Sequence, residues 1–464
     1  MTRNRLALSS QVPLTGFAYP RATFEQMVED ALGQAKSLGA SDAAVEVSEG
    51  CGLSVSVRLG SLETVERNRD KSFGVTVYCG QRRGSASTSD FSADALRQTV
   101  RAAFDIARFT AEDSAAGLPD DRDLVSARQA QRDLDLFHPW DLNPEKAVEL
   151  AQAGEQAAFD TDRRITNSEG AGVSASQFQF WMGNSRGFRG GYANTRHGLS
   201  VSPIAGRGRD MQRDAWYTSK RDPSDLASAQ AVGRYAAERA LSRLRARRVV
   251  TAEVPVLFEA PVAAGLMGAF VQAVSGGSLY RKASFLLDSL GQQVFSNHID
   301  LLEDPFVLKG RGSAPFDDEG VTTSRRQVIK AGVVQGYFLS TYSARKLGMR
   351  TTGHAGGSHN LTLSSRLTQP QDSLAAMIRK MGRGLLVTEL MGQGVNGVTG
   401  DYSRGASGFW VEGGEIAFPV EEITIAGNLK DMFKEVVAIG ADAYDAGSRC
   451  TGSILIERMK LAGA

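Results

Sequence analysis

The stretch from Val254 to Val274, VPVLFEAPVAAGLMGAFVQAV, decides the fold, because a short apolar run passes directly into an apolar helix. Val254 to Phe258 is uncharged and rich in Val and Leu, as a buried strand requires, and Pro261 stands where a first helical turn tolerates proline. In the helix that follows, Leu266, Met267, Phe270 and Val274 make a continuous apolar stripe. Ala263, Ala264, Gly265 and Gly268 would allow another backbone to approach closely. A helix of this kind belongs in a core, and the rest of the chain is expected to be organised around it.

This strand and helix, with the following run from Ser275 to Gly291 (SGGSLYRKASFLLDSLG), resemble the TldD/TldE (PmbA) metalloprotease family. In the TldD branch the corresponding helix carries His-Glu-x-x-x-His, whose histidines bind zinc and whose glutamate is the general base. Anchoring on the Gly-Leu pair Gly265–Leu266 places Glu259 and Ala264 at the two ligand positions and Ala260 at the base position. A catalytic zinc needs about three protein donors and an open water position, and one carboxylate with two alanines does not provide them. This departure is the mark of the TldE branch. The resemblance therefore implies a TldE/PmbA-like subunit without a zinc site of its own, a zinc-bearing TldD-type partner in a heterodimer, and unfolded or leader-type peptides as substrates.

Composition agrees with a large protein that handles neither nucleic acid nor lipid. The 464 residues suggest two or three structural units. A balance of 53 Lys and Arg against 52 Asp and Glu gives a net charge of +1, with no general attraction for nucleic acid or an anionic membrane. Cys51, Cys79 and Cys450 are few, odd in number and far apart, which fits a reducing cytoplasm. Met1 to Gln11 has too short an apolar core for a signal peptide, and no run of about 18 apolar residues occurs. Fifty scattered glycines point to many strand connections.

Along the chain, spacings of three and four predict a helix over Thr23 to Leu38. Ala43 to Val47, Leu53 to Leu59 and Phe73 to Val77 read as three strands, and Ser92 caps a second helix. Thr110 to Leu142 has no period and reads as a wrapping loop. A helix from Asn143 to about Phe159 then precedes an antiparallel meander and a helix from Leu226 to Arg247. The expected class is α+β: an N-terminal α/β domain (1–120), a middle α/β region (121–248) and a β-rich, barrel- or sandwich-like C-terminal domain (249–464), of PmbA/TldD type.

Several motifs resemble active sites. Gly392 to Gly397 fits G-x-G-x-x-G, but strand-like residues follow where a nucleotide site needs a helix N-terminus. Gly183 to Gly187 fits the G-x-S-x-G elbow around Ser185, yet the next segment is β-like, so a hairpin turn is expected. His354 and His359 are a close histidine pair in a glycine-rich loop, and a metal would need a third donor that spacing does not supply. They are expected to face substrate or partner, and the resemblance to the TldE branch, which carries a similar Gly-His-Ala-Gly-Gly stretch, favours that. Cys450 lies where the TldD branch supplies a zinc-ligating cysteine, and is expected to be an unpaired thiol. Asp317, Asp318 and Glu319 form an acidic cluster suited to a cation or a basic partner, yet such triplets are mostly solvated turns, and they carry no assignment. The expectation is no catalytic residue and no cofactor in this chain, with zinc in the partner. A self-sufficient peptidase and a non-proteolytic regulatory binding protein are the alternatives.

Overall fold

The computed structural model describes residues 16–445 and 447–463. Helix α1 (Arg21–Ser37) precedes three long antiparallel strands, β1 (Asp42–Arg58), β2 (Ser61–Cys79) and β3 (Arg82–Thr88). Helix α2 (Ala93–Phe109) follows, with Ser92 Oγ accepting the Ala95 amide as expected of its cap. The two runs read separately as strands before and after Gly50 are one strand. Every odd residue from Ala43 to Val57 is buried, so the alternation never changes phase and gives the chain no reason to break.

After a short helix, α3 (Ala127–Ala130), helix α4 (Pro144–Phe159) leads to β4 (Ile165–Asn184), β5 (Arg189–Gly190), β6 (Ala193–Ala205), β7 (Gln212–Arg213), β8 (Trp216–Lys220) and helix α5 (Ala229–Ser242). β1 pairs with β2 on one side and β4 on the other, so strands from before and after residue 120 share one sheet, ordered β3-β2-β1-β4-β6-β7. One face of that sheet is covered in two places. α1 and α2 pack over Val45, Val47, Phe73 and Val75, while α4 and α5 pack over Leu53, Val55, Val57 and Val173.

The third part of the chain begins with β9 (Ala252–Phe258) and α6 (Ala260–Ala273), followed by α7 (Gly276–Tyr280), β10 (Ile299–Asp304), β11 (Arg326–Lys330), β12 (Val333–Val334) and α8 (Thr341–Lys346). Then come β13 (Asn360–Ser365), α9 (Leu374–Met381), β14 (Gly384–Met391), β15 (Asp401–Glu412), β16 (Glu415–Asn428), α10 (Leu429–Lys434), β17 (Val436–Ile439), β18 (Arg449–Cys450) and β19 (Ile454–Ala462). Two sheets result, ordered β16-β15-β14-β9-β19-β17 and β12-β11-β10-β13-β18. The whole is α+β, as the sequence predicts.

As expected, β9 is an interior strand, between β14 and β19, and Leu266, Met267, Phe270 and Val274 are buried in the largest core cluster. Each such side chain contributes about 1.5–3 kcal/mol. The expected backbone contact at the α6 glycines is absent. Gly265 is exposed with nothing near an added Cβ, and a Cβ at Gly268 meets only the Arg449 guanidinium at 3.0 Å. The close helix contact lies instead between α4 and α5, where a Cβ on Gly233 would sit 2.0 Å from the Gly154 carbonyl oxygen. Residues 110–142 do wrap: Tyr342 donates to Asp113 at 2.8 Å, Lys346 to Asp113 at 2.7 Å, and Val125 to the Gly320 carbonyl at 2.9 Å.

Candidate functional site

The site marked by the family resemblance lies where β9 ends and α6 begins. Glu259 is the residue before the first turn of α6, Ala260 is buried, Ala264 is half-buried on the same helix, and the helix packs against β18, which carries Cys450. Glu259 is not an open ligand. Arg239, on α5, donates to both of its carboxylate oxygens at 2.8, 3.1 and 3.2 Å. Arg239 also faces Asp214 at 3.3 Å, and Arg243 links Asp214 at 3.5 Å to Glu389 at 2.6 Å. Burial works against the Arg239 charge, but the hydrogen bonds and charge of Glu259 outweigh it and hold the guanidinium ionised well above its usual range. The Cys450 thiol is pushed up by burial and by the charge of Asp445.

A second cluster corrects the expectation that no donor set exists in this chain. β10 alternates Ile299, Leu301 and Glu303 towards the core, so Glu303 is fully buried on its inward face. There it meets both histidines. Donor atoms of Glu303, His354 and His359 lie within 4.8 Å of one another, so the third donor missing from the spacing comes from a distant strand. His354 and His359 are each only 6% exposed, packed inside this chain.

Two imidazoles and a carboxylate are a zinc-competent set by chemistry, but their hydrogen bonds fit a metal only in part. Glu303 Oε2 lies 2.9 Å from His354 Nε2 and accepts from Arg326 Nε at 2.7 Å, while Oε1 accepts the His359 amide at 2.8 Å. Thr352 Oγ1 is 2.9 Å from His354 Nδ1, and His359 Nε2 is 3.1 Å from the Gly353 carbonyl oxygen. Arg326 Nη2 lies 3.2 Å from His354 Nε2, so a guanidinium already occupies the place of a cation. Burial pushes the Glu303 carboxyl up, but the hydrogen bond from His354, the Arg326 charge and the His359 amide bring it down to about 2. Burial keeps His354 below the usual imidazole range, against the pull of Glu303.

The other motifs fall outside any cleft chemistry. Ser185 is exposed in the β4–β5 hairpin, donates to Asp42 at 2.8 Å and accepts the Ala43 amide at 3.0 Å, with a strand rather than a helix after it. Gly392 to Gly397 join β14 to β15, also without a helix. Asp317 is not the solvated turn expected. It is buried, accepts amides from Glu319, Val321 and Ala355 at 2.9 Å each, and burial with the charge of Glu319 raises its carboxyl to about 7. Sequence reading missed Glu303 and Arg326. The one local signal was a glutamate in phase with Ile299 and Leu301.

The PmbA/TldA metallopeptidase domain 1, central domain and C-terminal domain match residues 43–107, 137–244 and 251–463. The chain is 49% identical over 444 residues to Metalloprotease PmbA of Escherichia coli O157:H7, covering 96% of this chain and 97% of that protein. A Bacteroides thetaiotaomicron protein described as a putative modulator of DNA gyrase superposes with a TM-score of 0.88 at 28% identity, over 95% of this chain and 99% of that one. TldE from Thermococcus kodakarensis has the same fold, with a TM-score of 0.80 at 19% identity over 94% and 100% of the two chains. On its sequence and its fold, this chain belongs to the PmbA/TldD metalloprotease family.

Proposed function

We propose that this chain is the subunit of a two-subunit peptidase that does not bind the catalytic zinc, and that it works with a TldD-type partner bearing His-Glu-x-x-x-His on unfolded or leader-type peptides. The observation that carries this reading is the Arg239–Glu259 pair: the one carboxylate left at the former ligand positions is held by a guanidinium at 2.8–3.2 Å, beside Ala260 and Ala264, which have no donor atoms. In the partner, zinc would polarise the scissile carbonyl and supply an activated water. This chain's part is to wall the chamber, exclude bulk water and offer backbone to an extended peptide. Its free cysteines suit a reducing cytoplasm. The test is a peptide digest followed by mass spectrometry for this chain, for the TldD-type subunit and for the mixture, with and without a chelator. Cleavage that is strongest in the mixture and chelator-sensitive supports the reading, whereas chelator-resistant cleavage by this chain alone refutes it.

A second reading, a self-sufficient metallopeptidase, is favoured by the Glu303, His354 and His359 set. The burial of that set and the pairing of Arg326 with Glu303 at 2.7 Å count against it. Metal analysis of the purified chain separates the two readings.

A further inference from the structure

A cleft of about 460 Å³ opens on the face of the β1–β4 sheet that the helices leave uncovered, with Asp318, from the turn after Phe316, as its other wall. Glu46 and Ser48 alternate along β1 with the core residues Val45 and Val47, so they point away from α1 and α2 and into this space. In the sheet, Glu46 lies beside Gly74 of β2, and Ser48 beside Ser72. A Cβ added at Gly74 would meet nothing within 4 Å, so open space rather than a side chain adjoins Glu46. Glu46 and Asp318 both keep exposed surface in the cleft, and among the described residues neither carboxylate has a hydrogen bond or an ion pair. The walls still crowd them. Burial and the charge of Asp318 raise the Glu46 carboxyl, while burial and the charge of Glu319 raise that of Asp318 against the pull of His359. Arg83, the cation in the lining, is paired with neither.

Ser48 adds a second feature. It is only 9% exposed, lines the cleft, and its hydroxyl has no hydrogen-bond partner among the described residues. Two carboxylates without a cation and a fixed, unused hydroxyl call for a ligand that carries positive charge and several donors. An ammonium concentrates three N–H donors on one compact charge and can reach acceptors on both walls. A guanidinium is a planar fork suited to a single carboxylate. A metal fits less well, because among the described residues the donors close enough to share an ion are those of the Glu303 set, not these. We infer that this cleft binds a primary ammonium group of an extended peptide, its N-terminus or a lysine side chain, between Glu46 and Asp318, with the Ser48 hydroxyl as a further acceptor. The inference rests on the reading of this chain as a peptide-handling subunit and names the peptides it selects.

The experiment measures fluorescence anisotropy of unstructured peptides, labelled at the C-terminus, on the full chain without any partner, so its failure is separate from a failure of the mixed-subunit digest. The arms are a neutral peptide with a free N-terminus, an N-acetyl peptide with one lysine, its counterpart with arginine for lysine, and a neutral N-acetyl peptide. At least one ammonium-bearing peptide should bind about tenfold more tightly than the neutral N-acetyl peptide, and which one identifies the source of the ammonium. Glu46→Gln and Asp318→Asn should each remove most of that preference at wild-type melting temperature, because neither carboxylate holds a partner within the chain. Gly74→Val fills the open space beside Glu46 with a Cβ that meets no other atom, and should weaken the ammonium peptide while the chain stays folded. Calcium chloride alone should leave the melting temperature unchanged. Equal binding of all peptides, no binding, an arginine peptide as tight as the best ammonium peptide, indifference to all three variants, or stabilisation by calcium would each overturn the inference.

Discussion

Arg239 grips Glu259 through two guanidinium nitrogens at 2.8 to 3.2 Å, tying the last turns of α5 to the residue that precedes α6. In the proposed reading this charge pair takes the position of a zinc ligand of the TldD branch. Both side chains are nearly buried, at 12% and 9% exposure, so neither partner can recover its hydration if the other is removed.

Arg239→Met should therefore lower stability by about 3–5 kcal/mol, because it leaves an uncompensated buried carboxylate. The double variant Arg239→Met, Glu259→Leu should recover most of that loss. Denaturant melts of the two variants check it, and a single variant as stable as wild type would show that the pair is not coupled.

The Glu303 cluster yields a metal-linked prediction. Arg326→Met removes the guanidinium that faces Glu303 and His354 and should destabilise the apo chain. It leaves the carboxylate and the two imidazoles within reach of a common ion. Added zinc should raise the melting temperature of this variant by mass action and leave wild type unchanged. A wild-type chain stabilised by zinc to the same extent would mean that Arg326 does not hold the cation's place.

Glycine positions give opposite expectations. Gly265→Ala should stabilise the chain by about 0.5–1 kcal/mol, since the site is open and alanine is the better helix former. Gly233→Ala should destabilise by about 1–3 kcal/mol or more, because its Cβ would meet the Gly154 carbonyl oxygen at 2.0 Å. Equal thermal melts for the two would contradict the packing described.

Two buried carboxyls set opposite slopes of stability with pH. Glu303, at about 2 in the folded chain against an ordinary 4.5, contributes stability that is present above about 4.5 and lost as pH falls towards 2. Asp317, raised to about 7 from 3.8, does the reverse: the folded state holds a proton that the unfolded chain has released, so stability falls as pH rises from about 4 to 7. The melting temperature of Asp317→Asn should fall less between pH 5 and pH 8 than that of wild type. Identical slopes would remove Asp317 as the cause.

Local pattern carried the elements well. The apolar stripe of α6, the Ser92 cap and the inward alternation of β1 are short-range properties, and they read out directly. What failed was pairing between distant segments. Glu303 lies 51 residues before His354, and a loop and the whole of β9 separate Arg239 from Glu259, so no spacing announces either contact. The α6 glycines misled because small residues permit a close approach without requiring one. The contact they suggested is made by Gly154 and Gly233, on helices joined only through the long meander.

The central claim is that this chain lacks a working zinc site and acts through a partner. It is tested most directly by metal analysis of the purified chain, run alongside peptide digestion by the chain alone and by its mixture with a TldD-type subunit. The account predicts no stoichiometric zinc in this chain, no cleavage by it alone, and chelator-sensitive cleavage by the mixture well above that of the TldD-type subunit. One tightly bound zinc per chain, together with cleavage by this chain alone that is lost in Glu303→Gln, would contradict it.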